Sequence, residues 1–242
     1  KNFEKYSIDE IVIIKHSTVY YYIIFLFCCC LFLTAGPALD LYVSELFFYS
    51  NPECLNSVFF DCEFLLQSHY IVSKIFREGF LPLILIYILI LPIVGLCFKI
   101  EKIFFGYKFS IKEIILIWST QILTIVIFVN MILKNMWGRS RPGDIFEFGG
   151  KETFTPWYEL SNNCDSNCSF VSGDASVGFS IIILYFITKN IYFAYFSIVF
   201  GFILGFIRII AGGHFLSDVL FAGFFIIVLN FVIFKLYQKY YE

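Results

Sequence analysis

Six stretches of this sequence are long and apolar enough to cross a bilayer, and that pattern excludes a water-soluble fold. They lie near Thr18–Gly36, Phe80–Phe98, Ile114–Leu133, Gly173–Thr188, Ile191–Ile207 and Val219–Leu236, the fourth being short and polar at its start. A hydrocarbon core about 30 Å thick takes roughly 20 apolar residues of helix to span. The expected fold is therefore all-α: an integral membrane bundle of six transmembrane helices. Composition agrees, with 60 % hydrophobic and 15 % charged residues, against about 25 % charged in an ordinary soluble domain. Too few polar residues remain for a hydrated shell, and the apolar content excludes disorder. The net charge of −2 says nothing about partners. No basic tract interleaved with aromatics points to nucleic acid, and no obligate protein partner is evident; the bilayer is the expected surrounding. Without internal repeats or Gly/Ser linkers, residues 1–242 read as one domain.

The Lys/Arg bias of the loops sets orientation. With a cytoplasmic N-terminus, Lys1, Lys5, Lys15, Lys99, Lys102, Lys108, Lys112, Lys189, Lys235 and Lys239 share one side. Lys74, Arg77, Lys134, Arg139, Arg141, Lys151 and Arg208 share the other. Four of that second group (Lys134, Arg139, Arg141, Arg208) belong to a motif set, and setting them aside leaves a clear cytoplasmic excess. Both termini are expected in the cytoplasm. Cys54, Cys62, Cys164 and Cys168 then fall in two exported loops and read as disulfides. Proximity favours Cys54–Cys62 and Cys164–Cys168, among three connectivities. No His in the second loop completes a zinc site. Cys28, Cys29, Cys30 and Cys97 lie in apolar spans. Residues 1–36 have features of a signal peptide but read as a first transmembrane helix, with Ile8–Ile14 as an interfacial flank. In the 37–79 loop, Leu39–Tyr49 and Phe59–Phe76 look amphipathic and are expected to lie at the outer boundary.

Ionisable residues at the edge of a span are costly and usually functional. Here they gather at three points: Lys134 to Arg141-Pro142, Ser169 to Ser176 around Ser172-Gly173-Asp174, and Arg208 to Asp218 around His214. The topology puts all three on one membrane face. Cations beside a helix N-terminus make a phosphate site. A carboxylate four residues after a His can share its helix face, so Asp218 is expected to fix the His214 tautomer. An imidazole so held serves as nucleophile or base.

These residues resemble the type 2 phosphatidic-acid phosphatase superfamily. Its first motif, K-x6-R-P, matches Lys134 to Arg141-Pro142. Its third, S-R-x5-H-x3-D, matches Arg208, His214 and Asp218, with Ile207 in place of the Ser. Its second, P-S-G-H, reads Val171-Ser172-Gly173-Asp174, so an Asp stands where the family has His. That acidic residue, with the Lys134 to Pro142 context, is similar to the bacterial lipid A 4′-phosphatase branch. The resemblance covers about residues 110–235.

It implies that Lys134, Arg141 and Arg208 grip phosphate, with Ser172 and the Gly173 N–H adding hydrogen bonds. His214 would attack phosphorus and Asp218 would orient it, through a phosphohistidine intermediate. Neither metal nor cofactor is implied, since cations neutralise the developing charge. Arg139 lies outside the pattern, as a fourth phosphate ligand or a partner for a carboxylate. Asp174 is either the general acid, or an electrostatic partner of Arg139 with the acid elsewhere, or the mark of an inactive enzyme. The implied substrate is lipid A at its 4′-phosphate, met from the periplasmic side of the inner membrane. Its removal would lower surface charge and weaken cationic peptide binding. Undecaprenyl pyrophosphate or another lipid phosphate is the near alternative. A catalytically inactive lipid-binding protein is another, as is a transporter, though charges gathered at one face disfavour a transport path.

Blander readings cover the rest. His16 and His69 stand outside the motifs. Trp118, Trp137 and Trp157 read as packing or boundary anchors, and Asp144 and Glu147 as loop surface. Gly201-x3-Gly205 suits close helix packing, and Gly212-Gly213 a tight turn.

Overall fold

The structure, a computed structural model, describes residues 28, 36–49, 63–66, 74–99 and 106–241. The chain is mostly helical there. Among the described residues, four helices are long and apolar enough to cross a membrane: α2 (Glu78–Phe98), α3 (Ile111–Met136), α5 (Ile191–Ile210) and α6 (Leu216–Tyr241). They match four of the six expected spans, and α3, α5 and α6 run further than expected at their C-termini. The expected span at residues 173–188 is a shorter helix, α4 (Gly173–Thr188), interrupted at Ile181. The first expected span and the Ile8–Ile14 flank lie outside the described residues, apart from Cys28 and Gly36. So do His16, His69, and the Cys54–Cys62 pairing.

Burial gives the reason α4 departs from the length rule. Ala175 through Ile187 are buried without a break, so protein surrounds this helix on every side. Its small residues let neighbours approach to backbone contact. A Cβ on Gly178 would lie 2.5 Å from the Gly201 Cα of α5. The buried Ser197 hydroxyl of α5 donates to the Phe179 carbonyl at 2.7 Å. By contrast, only 11 % of the apolar window of α2 is buried, against 50 % for α6.

The start of α3 is set by a capping box in which Ser110 accepts from the Glu113 N–H and the Glu113 carboxylate accepts from the Ser110 N–H. Such reciprocal caps satisfy two otherwise orphaned donors. From Ile122 to Leu133 the winding widens to π type, a form often found near functional sites.

A second, smaller core sits where the motifs gather. Helix α1 (Pro37–Glu45) leads into β1 (Phe48–Tyr49), which pairs antiparallel with β2 (Glu63–Phe64). Phe64, Ile145, Phe148 and Phe215 are buried together, with Leu41, Phe47, Phe48 and Phe154 packed around them. Gly212 lies beneath Phe64 at φ +65°, and a Cβ there would meet the Phe64 ring at 2.3 Å. Both backbone handedness and the close ring require glycine at this turn. The Leu39–Tyr49 stretch therefore forms a packed cap on the motif loops rather than only an amphipathic surface segment.

Candidate active site

Backbone hydrogen bonds knit the three motifs into one body. The Cys168 N–H donates to the Lys134 carbonyl at 3.1 Å, and Ser169 N–H to the Arg139 carbonyl at 2.8 Å. Ser172 N–H donates to the Asp218 carbonyl at 3.2 Å, and Gly143 N–H to the Gly212 carbonyl at 3.0 Å. Lys134 closes α3, Ser172 caps α4 by accepting from the Ala175 N–H, Arg208 lies in the last turn of α5, and Asp218 in the first turn of α6. Four helix ends thus deliver the chemistry to one place.

His214 is buried in the α5–α6 connection. Its Nδ1 lies 2.7 Å from the Ser169 carbonyl and 3.7 Å from Asp218 Oδ2. A carbonyl only accepts, so this contact assigns the proton to Nδ1 and the lone pair to Nε2. The expected direct clamp by Asp218 is thereby corrected: the Ser169 carbonyl makes the short bond, and the carboxylate stands behind as a charge. Burial pushes the His214 pKa down from 6.5 to about 4, with Arg208 and Lys134 pressing the same way and Asp218 opposing. The imidazole is neutral at pH 7.

Asp218 has no freedom to rotate. Its Oδ1 accepts from Arg139 Nη1 at 2.6 Å, and its Oδ2 from the Ser169 hydroxyl at 2.5 Å and the Phe215 N–H at 2.8 Å.

The remaining motif cations make contacts of their own. Arg208 Nε lies 3.4 Å from Asp174 Oδ2. Its guanidinium lies against Gly213, where a Cβ would come within 2.3 Å of Nη2. Lys134 Nζ would stand 3.3 Å from a Cβ on Gly173, which places the ammonium at the N-terminus of α4. Lys134 Nζ also donates to Asn167 Oδ1 at 3.2 Å, and Arg141 Nη2 to the Asn167 carbonyl at 2.7 Å. Asn167 sits inside the five-residue ring closed by the Cys164–Cys168 disulfide, one of the two expected pairs. Among the described residues no group of three or more His, Cys, Asp or Glu could hold a metal ion.

The matching protein-family model is the PAP2 superfamily, the type 2 phosphatidic-acid phosphatases, over residues 115–242. The chain belongs to the PAP2 superfamily. It is 37 % identical over 166 residues to a lipid A 4′-phosphatase of Francisella tularensis subsp. novicida, covering 66 % of this chain and 72 % of the relative. A lipid A 4′-phosphatase of Rhizobium leguminosarum is 29 % identical over 76 % of this chain and 81 % of its own length. One of Rhizobium etli is 41 % identical over 39 % of this chain and 38 % of its own. No solved structure matches. Family and relatives together make this chain a phosphatase, a hydrolase.

Within the PAP2 frame, two open sequence expectations are narrowed. Arg139 is the partner for carboxylates, the second of its two expected roles, and not an open phosphate ligand. It is fully buried, its Nη2 donates to Asp40 at 2.8 Å, its Nε to the Thr155 carbonyl at 2.9 Å, and the Phe215 ring lies 4.3 Å from its guanidinium carbon. Burial alone would lower the Arg139 pKa, but the carboxylates of Asp218 and Asp40 outweigh it and raise it. Asp174, in turn, is not the partner of Arg139; it pairs with Arg208.

Sequence reasoning misses Asp40 and Asn167 and gives Ser169 and Ser217 no role. Asp40 carried a signal: it is the single charge in the apolar run Pro37–Ser44. Trp137 packs as expected, stacked on Phe170 with its Nε1 donating to the Trp157 carbonyl at 2.8 Å.

Proposed function

We propose that this PAP2 enzyme hydrolyses a lipid phosphate monoester, the 4′-phosphate of lipid A, from the periplasmic side of a bacterial inner membrane. One observation carries the reading: a neutral, buried His214 with Nδ1 held by a carbonyl, backed by Asp218 and near Lys134 and Arg208, with Arg141 joined to Lys134 through Asn167. The substrate assignment draws on the lipid A 4′-phosphatase relatives. The side of the membrane draws on the Lys/Arg bias of the loops.

In this mechanism the lone pair of His214 Nε2 attacks phosphorus and the bond from phosphorus to the ester oxygen breaks. Asp174, beside Arg208, supplies the proton to the leaving sugar oxygen. The ring becomes a phosphorylated imidazolium that keeps its Nδ1 proton, and the Asp218 carboxylate offsets its positive charge. Water, giving a proton to the Asp174 carboxylate, then attacks phosphorus, the P–N bond breaks, and inorganic phosphate leaves with His214 and Asp174 restored. Lys134, Arg141 and Arg208, with the Gly173 N–H at the start of α4 and the Ser172 hydroxyl that caps it, hold the phosphoryl oxygens. Preorganised donors of this kind stabilise charge where it develops.

The test is mass spectrometry of lipid A after incubation with the pure enzyme. Loss of one phosphate, assigned by fragmentation to the 4′ position, is expected, together with its absence for His214→Ala. Wild-type release by His214→Ala would sink the nucleophile. Preferential release from a polyprenyl pyrophosphate would move the substrate to that class, where a better leaving group asks less of Asp174. A pH–rate profile of Asp174→Asn with an unchanged alkaline limb would remove Asp174 as the acid.

A further inference from the structure

We infer that Asp40 is a positioning residue for this reaction: acting through Arg139 and Ser217, it fixes the carboxylate of Asp218 and hence the negative charge that stands behind His214. The inference rests on the phosphohistidine reading above.

Asp40 reaches the site from outside the spans. It lies on α1, 99 residues before Arg139 and 177 before Ser217, and is 1 % exposed. Its Oδ2 accepts from Arg139 Nη2 and from the Ser217 hydroxyl, and its Oδ1 accepts from the Ser217 N–H at 2.9 Å. That N–H is one of the first in α6, which leaves it without an intrahelical acceptor. Asp40 therefore caps the helix that carries Asp218, from a different part of the chain. The Ser217 hydroxyl also accepts from Arg139 Nη1 at 2.8 Å, the same nitrogen that donates to Asp218. One guanidinium thus stands between two carboxylates, and a hydroxyl closes the ring.

Docking of α1 does not by itself call for a carboxylate. The apolar cluster around Phe64 and Phe215 already packs the cap, and burying an acid carries a desolvation cost that apolar packing avoids. What the acid adds is division of the Arg139 charge. With Asp40 present, Arg139 is shared between two anions, and Asp218 keeps charge free to offset the phosphorylated imidazolium. With Asp40 neutralised, the whole guanidinium charge falls on Asp218. A group acting this way changes the chemical step and leaves substrate binding alone.

The experiment uses the full chain in lipid nanodiscs, with phosphate release from lipid A as readout. Asp40→Asn keeps the shape and one oxygen acceptor while removing the charge and putting an amide donor in place of the second acceptor. It is expected to lower kcat about ten- to a hundredfold with KM within about twofold, as for other residues that orient a catalytic group. In an Asp218→Asn background the same change is expected to cost less than about twofold, since the two act through one path. Ser217→Ala, which removes a hydroxyl and leaves every charge, is expected to lower kcat about three- to tenfold. It decides the matter if Asp40→Asn does not fold. Wild-type kcat in folded Asp40→Asn, or in Ser217→Ala when that variant decides, would overturn the inference, as would an equal loss in both backgrounds. His214→Ala separates the two readings. If it is dead while Asp40→Asn is fully active, only the Asp40 role falls. If it is active, the phosphohistidine reading falls and takes the Asp40 role with it.

Discussion

Arg139 and Arg141 stand two residues apart on one loop and live in different worlds. Arg139 has no exposed surface, two carboxylate partners and an aromatic ring on its face. Arg141 is half-buried and donates to the Asn167 carbonyl. The same contrast runs through the whole site. Its back, made of Asp40, Arg139, Ser217 and Asp218, is closed, with opposite charges already in contact. Its front, made of Lys134, Arg141 and Arg208, meets the Asn167 amide oxygen, the Asn167 carbonyl and, at 3.4 Å, the Asp174 carboxylate. A guanidinium locked between two buried carboxylates serves geometry; the front cations are the ones that the phosphatase reading assigns to the incoming anion.

The hardest blow to that division would be Arg139→Ala. Removing the cation leaves Asp40 and Asp218 buried together without a partner, a change that costs about 3–5 kcal/mol of stability. Denaturant unfolding in detergent should register it as a large fall in midpoint, with little folded protein recovered. A variant as stable as wild type would mean that the back of the site is not the closed ion-pair cluster described here.

His214 lies at the seam between the two regions, and its titration reads the balance. The unfolded imidazole takes up its proton near 6.5, whereas the folded one does so at about 4. The unfolded state therefore binds more protons in that window, and stability is lost as pH falls through it, by roughly 3 kcal/mol in full. Labelled-histidine NMR, with the signal assigned through His214→Ala, should find the ring neutral down to about pH 5. A midpoint at or above 6.5 would show that burial and the front cations do not govern this group.

Arg141→Ala should behave unlike Arg139→Ala. The protein should fold with nearly wild-type stability, and kcat/KM should fall by about 1.5–3 kcal/mol, the worth of one hydrogen bond to a charged group. Loss of folding in place of loss of turnover would place Arg141 with the back of the site.

These two regions were not equally legible in the sequence. The front was, because Lys134, Arg141, Arg208 and His214 are ionisable residues at span ends with fixed spacings, and only four helix ends needed to converge. The short α4 was legible as an apolar run but not as a fully encased helix, since apolar sequence reads alike whether lipid or protein surrounds it. The back was half hidden. Asp218 was visible four residues after His214, yet its chief partner Arg139 could not be told from Arg141 by type or position. What distinguishes them is Asp40, and a contact across 99 residues has no local periodicity to announce it. Asn167 was hidden for a similar reason: its contribution depends on where the loop turns, and only the flanking Cys164 and Cys168 hinted that the loop is fixed.

That loop supplies the smallest expected effect. The disulfide holds Asn167 where its side chain meets Lys134 and its carbonyl meets Arg141. Replacing both cysteines, as Cys164→Ser with Cys168→Ser, leaves every charge in place and frees only the frame that spaces two front cations. The Cys168 N–H to the Lys134 carbonyl and the Ser169 N–H to the Arg139 carbonyl still anchor the downstream end. The back of the site should not notice, so kcat should stay within about twofold while KM rises roughly two- to fivefold, under about 1 kcal/mol. Steady-state kinetics on lipid A, with and without a reductant on the wild type, checks both routes to the open loop. A fall in kcat at constant KM would mean that the loop reaches His214 through Ser169, and the line between front and back would have to be redrawn there.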